Sequence, residues 1–150
     1  MSQTKLAFVA SQDETALQAK SELENKYPHV PENQADVVVV LGGDGKMLEA
    51  LRYYIDKPVK VFGMNKGTVG FLMNEFSLDN LLKRIEAATL VTLHPLRMHV
   101  ETSTGIVKEA LAFNEVSLLR ETSQTAKLRI TIDGTVRMEE LLCDGILVST

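Results

Sequence analysis

Two short glycine-rich segments contain the residues best suited to bind phosphate. The first, Gly42-Gly43-Asp44-Gly45, follows an apolar run and precedes apolar residues at helical spacing. At such a junction bare backbone amides and the positive end of the helix dipole attract phosphate, and glycine permits a ligand to approach closely. The spacing matches neither GxxxxGK[ST] nor GxGxxG, so neither standard nucleotide fingerprint applies. Taken alone, the tetrapeptide equally fits a tight turn in which Asp44 is an ordinary helix N-cap.

The second segment, GMNKGTVGFL over 63–72, contains Asn65, Lys66 and Gly67. It follows the next predicted strand, and in a parallel sheet both segments would open on the same carboxyl edge, where ligands bind. The alternative is a glycine-rich connection whose Phe71 and Leu72 belong to the core. Lys66 is then either a phosphate contact or an ordinary surface residue.

Two polar pairs lie in the apolar runs nearer the C-terminus. Asn114 and Glu115 interrupt the run 110–119. An amide matches the edge of adenine and a carboxylate accepts both hydroxyls of a ribose, but adjacent side chains face one ligand only at a bend or a strand end. The alternative is two polar residues on an exposed strand face. Asp144, before Gly145, is either a ligand group or a turn former.

Strands and helices alternate around the glycine-rich segments. Apolar runs at 5–10, 36–41 and 59–64 predict three strands, of which the second is a β-branched run typical of a strand covered on both faces. Helical spacing after each strand predicts three helices, the first capped by Ser11 or Asp13 and the third by Ser77. The pattern predicts an α/β N-terminal domain with a Rossmann-like parallel sheet.

Beyond residue 88 the sequence predicts strands only, over 89–102, 106–119, 126–132, 135–142 and from 145 onward. The turns are Ser103-Thr104-Gly105 and Asp133-Gly134, the latter typical of a two-residue type I′ hairpin. This region is expected to be an all-β C-terminal domain that is cut short, because its last strand stops without a turn. A boundary near Pro95 gives domains over 1–95 and 96–150.

Composition excludes several classes of function. The 150 residues include 16 basic and 20 acidic side chains, a net charge of -4, and the absence of a basic block argues against nucleic-acid binding. No apolar run approaches the roughly 20 residues that span a bilayer, so no membrane association is expected. The single cysteine, Cys143, fits a cytoplasmic protein. The three histidines show no metal-ligand spacing, and no residue is assigned to a metal.

Taken in order, LGGDGKML, GMNKGTVGFL, FNEVSLL and CDGILVST resemble the NAD kinase family. The resemblance implies transfer of the γ-phosphoryl of ATP, or of polyphosphate, to the 2′-hydroxyl of the adenosine ribose of NAD, giving NADP. It also implies a divalent metal such as Mg²⁺, nucleotide ligands, and a homodimer or homotetramer.

The resemblance also assigns candidate residues. Asp44 matches the aspartate regarded in the family as the proton acceptor, and Asn114 and Glu115 match a motif that holds the adenine and ribose groups of NAD. Because a helix N-terminus favours an ionised carboxylate, Asp44 is expected mainly to orient the hydroxyl and to take its proton late. Lys46 departs from the threonine usual in the family. The candidate cofactor-binding residues are Gly42, Gly43, Asp44, Gly45, Asn65, Gly67, Asn114, Glu115, Lys127 and Asp144.

Two further expectations follow from the resemblance. A PTGSTAY-like loop that follows ILVST in the family is absent from these 150 residues, so this chain alone is expected to have negligible kinase turnover. The alternatives are a lipid or sugar kinase that shares the GGDG turn, or a non-catalytic NAD-binding fragment. The stretch 67–72 favours the NAD kinase over a lipid kinase, because it lacks the Asn-Asp that lipid kinases place after Gly-Thr.

Overall fold

The computed structural model describes residues 4–67 and 70–150, which form two compact units, Met1–Val91 and Thr92–Thr150. Thr68 and Val69 of the second glycine-rich segment lie outside the described residues. The elements of the first unit are β1 (Leu6–Ala10), α1 (Glu14–Lys26), a 3-10 turn (Glu32–Gln34), β2 (Val37–Leu41), α2 (Asp44–Tyr53), β3 (Lys60–Asn65), β4 (Asn74–Glu75) and α3 (Leu81–Ala87).

The four strands of the first unit form one parallel sheet in the order β1-β2-β3-β4. β2 lies between β1 and β3, with Val37 opposite both Leu6 and Lys60. The predicted α/β domain with a parallel sheet is confirmed. The short strand β4 was not predicted, because a two-residue strand has no periodicity to detect.

All five residues of β2 are buried, and they alternate between two core clusters. Val37, Val39 and Leu41 pack on the face covered by α1 and α3, whereas Val38 and Val40 pack on the face covered by α2. Burying one such side chain stabilises the fold by about 1.5–3 kcal/mol. The prediction of a strand covered on both faces is therefore confirmed.

The helix N-termini follow the predictions at α1 but not at α3. Asp13 caps α1 by accepting a hydrogen bond from the Ala16 amide at 2.8 Å. The prediction that Ser77 caps the third helix is wrong: the residue before α3 is Asn80, with φ 55°. The Ser77 hydroxyl instead accepts from the Asp79 amide at 3.2 Å. Asparagine tolerates the left-handed conformation, so the chain turns once more before the helix begins.

The second unit contains only strands, paired as three antiparallel ladders: β5 (Leu96–Glu101) with β6 (Val107–Ala112), β7 (Glu115–Leu119) with β10 (Gly145–Ser149), and β8 (Ala126–Ile132) with β9 (Thr135–Cys143). Asp133 and Gly134 have φ values of 50° and 76°, as a type I′ turn requires. The single strand predicted over 106–119 is instead two strands, because Asn114 has φ 74° and breaks the run. Within 4–67 and 70–150, no helix is long and apolar enough to cross a membrane.

Candidate functional site

The ends of β1, β2 and β3 meet at the carboxyl edge of the sheet. The Ser11 amide donates to the carbonyl of Leu41 at 2.9 Å, and the Gly42 amide donates to the carbonyl of Met64 at 3.2 Å. Gly42 has φ 143°, and a Cβ placed there would lie 2.6 Å from the Ser11 hydroxyl oxygen. Only glycine satisfies both constraints. The first glycine-rich segment is therefore held tightly against the neighbouring strands.

Asp44 is the first residue of α2, and Gly43 is the N-cap without a side-chain hydrogen bond. The alternative that Asp44 is an ordinary N-cap is therefore wrong. Its carboxylate instead accepts a hydrogen bond from the Phe71 amide at 3.0 Å and one from the Leu72 amide at 3.1 Å. The predicted meeting of the two glycine-rich segments at one edge is thus a direct contact made by Asp44.

Asn65 and Gly67 lie at the end of β3, on the same edge. The Asn65 side-chain oxygen accepts the Gly67 amide at 3.0 Å, which fixes the start of the second segment. Lys66 binds both carboxylate oxygens of Glu22, at 2.9 and 3.1 Å, and lies over the ring of Phe76. In this structure the Lys66 ammonium group is therefore paired with Glu22 of α1.

A pocket of about 180 Å³ lies beside these residues, between the start of α1 and the ends of β2 and β3. Its lining includes Asp13, Gly42, Asn65 and Gly67. The hydroxyl of Ser11 and the amide of Ala16 hold the pKa of the Asp13 carboxyl below its usual value. Asp13 thus places a negative charge at the start of α1, beside this pocket. The pocket is smaller than the roughly 300–1,000 Å³ typical of small-molecule sites.

Asn114 and Glu115 lie at one end of the β7·β10 ladder. Asn114 forms the bend, with φ 74°, and its carbonyl accepts the Thr150 amide at 2.9 Å. Glu115 begins β7 and pairs with Ser149. Both side chains are exposed. Adjacent side chains can face one ligand only at a bend or a strand end, and Asn114 and Glu115 occupy such a position.

Asp144 lies at the opposite end of the same ladder. The Arg120 guanidinium donates to its carboxylate at 2.7 Å, and the Arg120 amide donates to its carbonyl at 2.9 Å. Four residue steps of β7 separate this end from Glu115, which is about 14 Å in a strand. The structure therefore keeps Asp144 apart from Asn114 and Glu115, although all three were assigned to one ligand.

Lys127 is on β8 and pairs with Leu142 of β9. Leu142 lies two residues before Asp144 in the sequence. The Lys127 side chain is exposed and pairs with Glu140 at 3.4 Å. An exposed cross-strand ion pair of this kind is weak, so the ammonium group can exchange partners readily.

The described part of the chain contains no group of three His, Cys, Asp or Glu side chains able to hold a metal ion. The protein residues described therefore do not form a metal cage for the divalent metal that the resemblance implies. Mg²⁺ is commonly held by substrate phosphates together with only one or two carboxylates.

Two features of this edge were not predicted from the sequence. Gly70 was not among the candidate residues, although a Cβ there would lie 2.3 Å from a carboxylate oxygen of Asp44. The alternative that Phe71 belongs to the core is wrong, because its side chain is fully exposed. The only sequence signal was the glycine spacing of GMNKGTVGFL, which does not reveal which partner approaches the backbone.

The fold and the edge loops of the first unit define an α/β domain of the class that binds ligands at the carboxyl edge of a parallel sheet. The sequence profile of the ATP-NAD kinase N-terminal domain matches residues 1–92. The chain therefore belongs to the NAD kinase family, as the four motifs indicated.

Proteins named NAD kinase match the chain over nearly all of its length. The relative from Hyphomonas neptunium is 53% identical over 150 residues, which are 100% of this chain and 59% of the relative. The relative from Brucella suis is 51% identical with the same coverage of both proteins. The relative from Caulobacter vibrioides is 52% identical over 98% of this chain and 56% of its own length. The chain thus spans a little under three fifths of these relatives.

Proposed function

We propose that a protein containing this chain is an NAD kinase, which transfers the γ-phosphoryl of ATP to the 2′-hydroxyl of the adenosine ribose of NAD. The observation that carries the proposal is the position of the Asp44 carboxylate. It stands at the start of α2, on the carboxyl edge of the sheet, where the two glycine-rich segments meet. Family membership and the name shared by the relatives support the same reaction.

In the proposed step the ribose 2′-oxygen forms a bond to the γ-phosphorus while the bond from that phosphorus to the β-phosphate bridging oxygen breaks. ADP leaves with the electron pair, and the hydroxyl proton passes to Asp44. Two of the roughly four acceptor positions of this carboxylate are taken by the Phe71 and Leu72 amides, so acceptor positions remain for the hydroxyl. Because the transition state of phosphoryl transfer is loose, orienting the hydroxyl matters more than removing its proton early.

The phosphates of the donor, ATP or polyphosphate, are proposed to lie against the first glycine-rich segment. Gly43 and Gly45 leave the backbone open, since a Cβ at either would meet nothing within 4 Å. The start of α2 supplies the positive end of a helix dipole. Asn65 and Gly67 border the same edge. The chain then needs no basic patch, in agreement with its net charge of -4.

The residues of the second unit are proposed to bind NAD. Asn114 and Glu115 would hold adenine and ribose, since the bend before β7 allows both side chains to reach one nucleoside. Asp144 and Lys127 would contact a different part of the dinucleotide, because the length of the ladder separates Asp144 from Glu115. A homodimer or homotetramer in the cytoplasm is proposed from the family resemblance.

The test uses a chimera in which the matched part of the Hyphomonas neptunium relative is replaced by these 150 residues. The chimera is expected to convert NAD to NADP with ATP in a coupled assay. Asp44→Asn should lower kcat by about 100-fold or more, the usual scale of a lost acid–base group, and raise KM for NAD much less. Glu49→Gln, an exposed acidic residue of α2, is the matched control and should leave kcat near the wild-type value.

A folded chimera that phosphorylates a lipid or a sugar but not NAD would overturn the proposed reaction. An Asp44→Asn chimera whose kcat is unchanged and whose KM alone rises would overturn the catalytic role of Asp44, since Asp44 would then be only a binding residue. Calorimetric titration of NAD and ATP into the chimera distinguishes a folded chimera that fails to bind from one that binds without turnover.

A further inference from the structure

The last residues of the second glycine-rich segment are hydrogen-bonded to Asp44. The Phe71 amide donates to Oδ2 of Asp44 at 3.0 Å and the Leu72 amide donates to Oδ1 at 3.1 Å. These contacts join residues 27 and 28 positions apart in the sequence. Hydrogen bonds to an ionised acceptor are stronger than bonds between neutral groups. The carboxylate therefore makes one strong contact with each of two consecutive amides.

The Phe71 side chain contributes nothing to holding this segment, because it is fully exposed to solvent. Burial increases only further along the chain: Leu72 is partly buried against the cluster on the α2 face of the sheet, and Met73 belongs to that cluster. At Gly70 and Phe71 the described contacts with the rest of the unit join the backbone of these two residues to the Asp44 carboxylate. The position of this part of the segment thus depends on the carboxylate.

Gly70 permits this arrangement through its missing side chain. A Cβ at position 70 would lie 2.3 Å from Oδ2 and 2.4 Å from Oδ1 of Asp44, far inside van der Waals contact. Gly70 does not have a positive φ, so its backbone conformation does not require glycine. The requirement for glycine comes from the lack of space for a side chain. A methyl group at this position must therefore displace the carboxylate or the segment.

We propose that Asp44 is a positioning residue for the second glycine-rich segment in addition to its proposed chemical role, and that Gly70 is required because the Asp44 carboxylate occupies the space of its side chain. Removing the carboxylate then releases residues 70–72 as well as removing the proton acceptor. This inference does not rest on the kinase reaction, because the contacts exist without substrate.

Hydrogen exchange of the 150-residue chain, resolved by residue with NMR, tests the proposal without any substrate. In Asp44→Ala and in Gly70→Ala, exchange of the Phe71 and Leu72 amides should accelerate by about tenfold or more, the factor expected when a hydrogen bond to a charged group is lost. Asp44→Asn retains one acceptor oxygen and should give a smaller acceleration. Rates are taken relative to the Val39 amide of β2, which corrects for a general loss of stability.

The matched controls are Asp13→Asn and Gly45→Ala. Asp13 is a carboxylate that accepts a backbone amide at another helix N-terminus, and a Cβ at Gly45 would meet nothing within 4 Å. Neither variant should change the relative exchange of Phe71 and Leu72. If both amides exchange at wild-type relative rates in Asp44→Ala and Gly70→Ala, the proposal is overturned.

The double variant Asp44→Ala, Gly70→Ala tests whether glycine is needed at position 70 because of the Asp44 carboxylate or for another reason. In the Asp44→Ala background the added methyl group of Gly70→Ala has room, so it should cause no further acceleration. An equal acceleration in both backgrounds would show that Gly70 acts independently of Asp44 and would overturn that part of the inference. Should Asp44→Ala not fold, the same comparison is made in the Asp44→Ser background, whose shorter side chain also leaves room for the added methyl group.

Discussion

At the scale of the residue, two positions of the candidate site are glycine because a neighbouring side chain occupies the space of a Cβ. Gly42 faces the Ser11 hydroxyl and Gly70 faces the Asp44 carboxylate, and in both positions a Cβ would lie well inside contact distance. The sequence shows that these positions are glycine, but the partner of each comes from a distant part of the chain. Asp44 illustrates the same point, because its amide partners are 27 and 28 residues away.

Tyr54 offers a pH-dependent test at the same scale. Its ring is buried and its hydroxyl donates to Glu32. Burial, followed by the hydrogen bond to Glu32, raises the pKa of Tyr54 above its ordinary value. The folded state thus disfavours the tyrosinate, so the contribution to stability is complete below the unfolded pKa of about 10 and is lost as the pH rises beyond it. Urea unfolding at pH values on either side of that point should therefore show a smaller decrease in stability in Tyr54→Phe than in the wild type.

The control for this prediction is Tyr53→Phe, since the neighbouring Tyr53 ring is 62% exposed. This variant should lose stability with rising pH as the wild type does. An identical pH dependence in Tyr54→Phe and Tyr53→Phe would contradict the assignment of the effect to Tyr54.

At the scale of the element, apolar periodicity determined which faces are buried. In α1 Ala16, Ala19 and Leu23, which recur at helical spacing, are buried, whereas Leu17 on the same helix is 46% exposed. β2 was correctly expected to be covered on both faces, because five consecutive β-branched and leucine residues leave no polar face for solvent. Boundaries were less predictable: Asn80 and Asn114 end or delay elements through positive φ values that no periodicity reveals.

The two leucines of α1 provide a paired prediction. Leu23→Ala should reduce the free energy of unfolding by about 2–5 kcal/mol, because a fully buried side chain leaves a cavity. Leu17→Ala makes the same chemical change on the exposed side and should change stability by about 0.5 kcal/mol or less. Urea denaturation followed by circular dichroism measures both values. Equal losses in the two variants would show that α1 does not pack as described.

At the scale of the whole molecule, the two units differ in how much apolar surface they cover. The first unit buries its apolar side chains in two clusters on the faces of one sheet. In the second unit the β7·β10 ladder leaves Leu118, Leu119 and Leu147 between 62% and 71% exposed. Large exposed apolar patches mark surfaces that pack against something else or that aggregate.

The 150-residue chain is therefore expected to bind the apolar dye ANS under native conditions, with the bound dye on the second unit. Replacing Leu118 and Leu147 by serine should lower the dye fluorescence, because both side chains are exposed on the same ladder. Replacing the exposed Leu17 of the first unit by serine is the control and should leave most of the signal. A chain that gives no ANS signal above that of a fully packed protein would contradict this account.

How far the sequence predicts the molecule can be judged from particular positions. The alternation of strands and helices, the α/β class, the type I′ turn at Asp133-Gly134 and the family were all readable from the sequence, because each depends on residues close together in the chain. Three features could not be read from the sequence: the cap of α3, the division of the run 106–119 into two strands, and the hydrogen-bond partners of Asp44. These depend on backbone conformations or contacts that local residue types permit without requiring.

The sequence alone thus determined which residues could do chemistry and which side chains must be buried, because composition, spacing and apolar periodicity are local properties. Only the tertiary structure decided which of those residues meet. It joined Asp44 to the amides of Phe71 and Leu72, and it placed Asp144 at the opposite end of a ladder from Glu115. The physical reason is that such contacts are fixed by strand order and register, which bring distant segments together through packing of the whole sheet.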